Sequence, residues 1–264
     1  MVWPDLELDS VGSGAWERDV GDLWWGHEGQ FGGYVNALAL AACRAEVADD
    51  ERAPRALTVH FLRRFPAGRF RAEVSVERSG RSVSNLSVRL SVDGVLCGLG
   101  LATFGRPRPV TAFVDGGPPA VEPFDATRSP KESPVKVPAQ KNFEFWPVLG
   151  GRMFAGTDSA RSGGWLRFAD RRPFDEEALL LAADIYLPAV YVRLDEPAVG
   201  GTMDFTAHFR DQLPHPAIGA DDPVLVELTT AKCWGGYVEE DCEIWSPTGD
   251  LLFQSRQLRF IQRL

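Results

Sequence analysis

A chain of 264 residues, 44% hydrophobic and 25% charged, can bury a sizeable core as one large domain or two of ordinary size. Its net charge of −9 argues against general binding to nucleic acid or an anionic membrane, and no apolar run reaches the roughly 20 residues of a membrane span. The N-terminus, Met1-Val-Trp-Pro-Asp-Leu-Glu, lacks the basic and apolar regions of a signal peptide, and Cys43, Cys97, Cys233 and Cys242 are scattered, so a cytoplasmic protein without disulfides, metal or cofactor is expected.

In chain order, Leu6–Val11 and Ala15–Val20 read as a short hairpin. The apolar segment Gly32-Gly-Tyr-Val-Asn-Ala-Leu-Ala-Leu-Ala-Ala-Cys43 follows, interrupted only by Asn36. Strand-like runs come near 56–65, 70–78, 82–92 and 95–104. In them Phe70, Ala72, Val74 and Val76 alternate with Arg71, Glu73, Ser75 and Glu77, the period-two signature of half-buried antiparallel strands. Asp93-Gly94 supplies a tight turn between the last two. Residues 51–110 also hold eleven arginines against four acids, which reads as solvated strand faces or as a patch for a small polyanion.

Residues 107–140 are dense in proline, which lacks an amide donor and fixes its own φ, so this stretch reads as an extended linker without helix or central strand. It separates a first domain, 1–106, from a second, 141–264. The second half repeats the plan of the first. Arg152–Thr157 and Gly164–Ala169 read as a hairpin, followed by the apolar segment Ala178–Leu187, interrupted only by Asp184 and ended or kinked by Pro188. Strand-like runs recur near 203–210, 223–231, 236–246 and 250–262, with Thr248-Gly249 in the place of Asp93-Gly94.

A helix that is apolar all round must be enclosed, because an ordinary surface helix keeps one polar face. A curved antiparallel sheet is the simplest container, and hairpin, buried helix, then meander is the order of a hotdog domain. The expected fold is therefore α+β: two fused hotdog domains, each a sheet wrapped around a central helix, paired as a pseudo-dimer.

Phe31-Gly-Gly-Tyr-Val-Asn-Ala-Leu, His60-Phe-Leu-Arg-Arg, Glu77-Arg-Ser-Gly-Arg-Ser, Met203-Asp-Phe, Glu227-Leu-Thr-Thr-Ala and Ser255-Arg-Gln257 occur in this order. With the duplicated plan, they make the chain resemble the acyl-CoA thioesterase II-like double-hotdog proteins from about Phe31 to Arg263. The resemblance implies hydrolysis of acyl-CoA to free acid and coenzyme A, a role in lipid metabolism, and a small-molecule acyl-CoA as partner. It leaves homo-oligomer assembly open. It also implies a water-activating triad that carries over to Asp204, Thr229 and Gln257. Thr230 competes with Thr229, since adjacent strand residues face opposite ways. The chain departs from the family pattern at Phe205, where His is common, and at Leu258-Arg259, where Glu-Gly is common.

The internal repeat adds a reading of its own. Aligning His208-Phe209 with His60-Phe61 sets Asp204 opposite Ala56, and aligning Gly249 with Gly94 sets Gln257 opposite Ala102. One site per chain is therefore expected. Gly32 and Gly33 open the first helix, where free amides and the helix dipole can hold an oxyanion. Arg63, Arg64, Arg78 and Arg81 are candidates for the coenzyme A phosphates. Asp184, a carboxylate in an apolar helix, is either a base with a raised pKa or a group satisfied by backbone or arginine. The chain has no Gly-x-Ser-x-Gly elbow, which excludes that route to a serine nucleophile. A non-catalytic acyl-CoA or lipid binder is the alternative function. Dehydration or hydration of an acyl thioester is a third, although His27, His60, His208 and His215 form no recognisable constellation.

Overall fold

The computed structural model describes residues 3–133 and 135–264. The first half contains β1 (Asp9–Gly12), β2 (Ala15–Val20), α1 (Gly32–Val47), β3 (Ala53–Phe61), β4 (Gly68–Ser79), β5 (Val83–Val92) and β6 (Val95–Gly105). The second contains β7 (Phe143–Leu149), β8 (Ala160–Phe168), α2 (Glu176–Ala183), α3 (Ala189–Arg193), β9 (Ala198–Phe209), β10 (Val224–Thr230), β11 (Cys233–Trp234), β12 (Tyr237–Trp245) and β13 (Leu251–Arg263).

All thirteen strands form one sheet, ordered β1-β2-β4-β5-β6-β3-β9-β13-β12-β10-β8-β7 with β11 on β12. The halves meet at β3 and β9, an antiparallel pair in which Ala56 faces His208 and His60 faces Asp204. Under the repeat alignment these two pairs are images of one another. Thr58 and Thr206 sit midway between them and share a 3.1 Å hydrogen bond, so a pseudo-twofold axis passes between their hydroxyls. This is the expected double hotdog, each half of the sheet wrapping its own helix.

The enclosure explains the composition of the helices. Val35, Ala37, Leu38, Ala39, Leu40, Ala42 and Cys43 of α1 are at most 1% exposed, as are all the leucines of α2. The two helices pack antiparallel: Gly33, near the start of α1, presses on Leu180 and Leu181, while Arg44 in its last turn bridges Glu176 and Glu177 at the start of α2. No described helix is long and apolar enough to cross a membrane.

Three sequence expectations are corrected. Arg152–Thr157 is loop, and the strand beside β8 is β7, which begins nine residues earlier. Pro147 lies inside β7, which is tolerated because β7 is the edge strand of the sheet, met on its outer side by an isolated bridge from Lys131 to Phe145 and not by a further strand. The proline-dense segment also ends in a 3-10 helix, Pro138–Asn142, where Pro138 occupies a first-turn position that needs no amide. Finally, α2 stops at Ala183, short of the apolar segment's end, and the helical course resumes after Pro188, which caps the short α3.

Candidate active site

The first turns of the two buried helices differ. Asp175 caps α2, its Oδ1 accepting the Ala178 amide at 2.9 Å, and Glu176 and Glu177 follow, so acidic side chains already occupy that helix N-terminus. At α1 the capping residue is Phe31, with no side-chain cap bond and no acid in the first turn. The positive end of α1 is thus open to an anion from elsewhere.

That anion is Asp184. It lies at the C-terminal cap of α2, and the antiparallel packing brings it to the start of α1. The Gly33 amide lies near its carboxylate and pulls the carboxyl pKa down. A Cβ on Gly32 would stand 2.7 Å from Asp184 Oδ2 and 3.8 Å from the Phe61 ring, so only glycine admits the carboxylate this close to the backbone.

Strand β13 brings Gln257 and Arg259 to the same place, and β12 brings Glu240. Gln257 Nε2 donates to Glu240 Oε1 at 2.9 Å and to Asp184 Oδ1 at a long 3.5 Å. Gln257 Oε1 accepts from Thr202 Oγ1 at 2.8 Å, which fixes the orientation of the amide. Arg259 donates to Glu240 at 3.1 Å and to Asp184 at 3.4 Å. Glu240 Oε2 accepts the Ala189 amide at 2.7 Å. The cluster thus holds two carboxylates against one guanidinium. Burial pushes the Asp184 carboxyl above its ordinary range, against the pull of Arg259, Gln257 and the Gly33 amide. Burial likewise raises Glu240, and the neighbouring Asp184 charge adds to the rise. Asp184 and Arg259 keep 11% of their side-chain surface exposed and Glu240 only 2%, so solvent reaches the cluster at Asp184 and Arg259, and Glu240 lies deepest.

The pseudo-twofold image of this place holds no such cluster. Ala102, the counterpart of Gln257, is 2% exposed, and the other end of the helix pair is closed by the Arg44–Glu176 and Arg44–Glu177 bridges.

Of the residues named from the sequence, the structure brings together Gln257, Gly32, Gly33 and Asp184. It does not bring Asp204 or Thr229 to them. Asp204 neighbours Phe205, which is 1% exposed and stands opposite the equally buried Gln257. Alternation therefore turns Asp204 to the outer face, where it pairs with exposed His60. Thr229 also faces outward, into a shallow groove of about 530 Å³ lined by Thr206, His208, Glu227, Asp241 and Arg256 among others. Thr230 shares the inner face but donates its hydroxyl to the Glu239 carbonyl at 2.8 Å.

The four arginines separate. Arg63 and Arg64 follow β3 directly, beside Phe61 and the start of α1, and Arg64 pairs with Glu28. Arg78 and Arg81 lie at the β4–β5 turn, where Arg52 bonds Ser79 and Ser84 near the other end of α1. That is about a helix length away, roughly 24 Å at 1.5 Å per residue. Glu240, Arg259 and Thr202 were not singled out. Glu240 had a readable signal, since it breaks the buried series Val238, Cys242, Ile244 on one face of β12.

The fold and its relatives agree. A conserved protein with hotdog fold from Alicyclobacillus acidocaldarius superposes with a TM-score of 0.84 at 27% identity, covering 98% of this chain and 97% of its own. The acyl-CoA thioesterase II TesB2 of Mycobacterium marinum gives 0.77 at 17% identity, covering 98% and 97%. The tesB protein of Mycobacterium avium subspecies paratuberculosis gives 0.74 at 18%, with the same coverage. No curated protein matches the sequence. Two family models do: an acyl-CoA thioesterase N-terminal domain over residues 22–105 and an acyl-CoA thioesterase C-terminal domain over residues 115–261. With both domain models matched in order and the hotdog fold doubled, the chain belongs to the acyl-CoA thioesterase family.

Proposed function

We propose that this chain hydrolyses acyl-CoA thioesters at one site per chain, with Asp184 as the general base. The observation that carries the reading is the meeting of a buried carboxylate of raised pKa with an uncapped, glycine-built helix N-terminus. A base and an electrophilic partner from different halves are what thioester hydrolysis needs.

The oxygen of a water molecule held between Asp184 and Gln257 attacks the thioester carbonyl carbon, and its proton passes to the Asp184 carboxylate. The negative charge moves to the carbonyl oxygen, which the Gly32 amide and the α1 dipole stabilise, while the Gly33 amide keeps Asp184 in place. Collapse of the tetrahedral intermediate breaks the carbon–sulfur bond. The leaving sulfur takes the proton back from Asp184, releasing free acid and coenzyme A. Thr202 and Glu240 hold the two ends of the Gln257 amide, and Arg259 balances the charge of the carboxylates. Arg63 and Arg64, beside the mouth, are placed to meet the phosphates of coenzyme A; Arg78 and Arg81 lie toward the other end of α1.

Free-thiol release from short-, medium- and long-chain acyl-CoAs by wild type, Asp184→Asn and Asp204→Asn tests the reading. Release that survives in Asp204→Asn and is lost in Asp184→Asn is the expected result. Acyl-CoA binding without release by the wild type would replace it with the binding-protein alternative.

A further inference from the structure

Asn36 interrupts the apolar run of α1, and the cluster described above makes no use of it. The residue is fully buried, at 0% exposure, and neither Nδ2 nor Oδ1 has a hydrogen-bond partner among the described residues. Buried carboxamides are almost always paired, because desolvating one without compensation destabilises the fold. Packing does not require the asparagine. Counting from the caps Phe31 and Asp175, its counterpart in α2 is Leu180, also 0% exposed, so this fold takes a hydrocarbon at the equivalent place.

Its location gives it a use. Residues four apart share a helix face, so Asn36 lies one turn beyond Gly32, on the face that meets Asp184 and Phe61. Helical side chains lean toward the N-terminus, which directs the carboxamide back toward the gap where the thioester carbonyl is expected. Four residues rise about 6 Å along the axis, and the backward lean shortens that reach. The carboxamide then meets the acyl group two or three bonds beyond the carbonyl carbon, among side chains that are otherwise apolar.

We propose that Asn36 is a substrate-binding residue that recognises an oxygen substituent near the 3-position of the acyl group, so that the preferred substrates are 3-hydroxy- or 3-oxoacyl-CoA. This rests on the thioesterase reading. A plain acyl chain leaves the carboxamide unpaired when it fills the site. A hydroxyl engages both Oδ1 and Nδ2, and a ketone engages Nδ2 alone. Sites with buried polar groups awaiting a substrate oxygen discriminate strongly against the analogue that lacks it.

The experiment measures kcat/KM for thiol release from butanoyl-, 3-hydroxybutanoyl- and 3-oxobutanoyl-CoA, and from their eight-carbon homologues, by wild type, Asn36→Leu and Asn36→Ala. The wild type is expected to favour an oxygenated member by tenfold or more. Either variant should lower that ratio at least tenfold, because the oxygenated substrates lose far more rate than the plain acyl-CoA does. Preference for the hydroxy compounds assigns the hydroxyl, and preference for the oxo compounds assigns the ketone. A wild-type ratio of one or less overturns the proposal, and so does equal slowing of all substrates in the variants, which marks a water-holding or packing role. Calorimetric binding of the same compounds to Asp184→Asn and to the Asp184→Asn, Asn36→Leu double variant reads the preference without turnover. A preference there that Asn36 does not control also overturns it. A wild type that releases no thiol fails the thioesterase reading, and calorimetry on the wild type then decides the Asn36 assignment separately.

Discussion

Asp184→Asn is the perturbation that separates the geometric reading from the one carried by resemblance. The carboxamide is isosteric, and its oxygen can still accept from Gln257 and Arg259, so the helix pair has no reason to shift. What is lost is the base. General-base assistance is worth about 10²–10⁴ in rate, so thiol release should fall by that factor, or ~3–5 kcal/mol in the barrier. Stability should move the other way. With both acids ionised, Asp184 and Glu240 set two negative charges against the single positive charge of Arg259 in a buried cluster. Removing the Asp184 charge leaves the Arg259–Glu240 pair balanced, so the thermal midpoint should hold or rise. An inactive protein at least as stable as the wild type is difficult to explain by misfolding. Asp204, on the outer face opposite His60, should tolerate the same change with a loss of about twofold or less, the usual ±0.5 kcal/mol of surface substitutions. Steady-state thiol release beside thermal unfolding reads both effects. Full activity in Asp184→Asn with loss in Asp204→Asn would refute the placement of the base and restore the triad of Asp204, Thr229 and Gln257.

Other consequences follow from the same cluster and its surroundings. A base works only when deprotonated, so kcat/KM should rise with pH through a limb above the ordinary aspartate range; Glu240→Gln removes the neighbouring like charge and should move that limb to lower pH, as a pH–rate profile would show. The two glycines should respond differently to alanine. At Gly32 the new methyl meets the movable Asp184 carboxylate at 2.7 Å, so activity should fall while the fold holds. At Gly33 it meets the Leu180 carbonyl oxygen at 2.6 Å and the Leu181 Cα at 3.1 Å, which are backbone atoms, so circular-dichroism melts should show lost stability as well. Asp175 gives a stability prediction. Burial, then the Glu177 charge, pushes its carboxyl up from 3.8 to about 6. Below the lower value both folded and unfolded chains are protonated there and the group is neutral to stability. As pH rises through the window the unfolded chain ionises first, and above it the fold carries a constant deficit of at most about 3 kcal/mol. Asp175→Asn keeps the Ala178 cap but loses the acceptor for the Trp3 indole, so a net gain of about 1–2 kcal/mol is expected at pH 8 and none at pH 3. Denaturant titrations at the two pH values measure the difference.

The architecture was legible because its signals are local. Alternation in 70–78 and 82–92 requires a half-buried sheet, and an apolar helix requires an enclosure, whatever the rest of the chain does. The β7 strand was missed for a local reason too: Pro147 argues against a strand unless the strand is known to lie at an edge, and edge position is a property of the whole sheet. The internal repeat carried further than any single motif: the equivalence of Ala56 with Asp204 makes the β3–β9 pair symmetric, while the point at which the axis crosses it is set only by the folded sheet.

The site divides along the same line. Gly32, Gly33 and Gln257 could be named because each belongs to an element whose orientation is written in its own neighbours. The choice between Asp184 and Asp204 could not be made that way. On a strand one position decides the face, and Asp204 is one residue from buried Phe205, so a short motif match cannot say on which side of the sheet the carboxylate stands. Asp184 becomes relevant only when α2 runs antiparallel to α1, and that arrangement is set by Gly33 admitting the Leu180 backbone at one end and by Arg44 tying Glu176 and Glu177 at the other. These contacts span more than a hundred residues. The polar interruptions of the two apolar helices were nonetheless the right places to look, because a buried helix admits a polar residue at a cost in stability. In α2 the interruption meets an open helix N-terminus from the other half. In α1 it lies one turn beyond Gly32 with its carboxamide unpaired among the described residues. The single helix pair has two ends related by the pseudo-twofold axis; the Arg44 bridges fill one and the other is left polar around Asp184, so one place in the chain combines a part from each half that the other lacks.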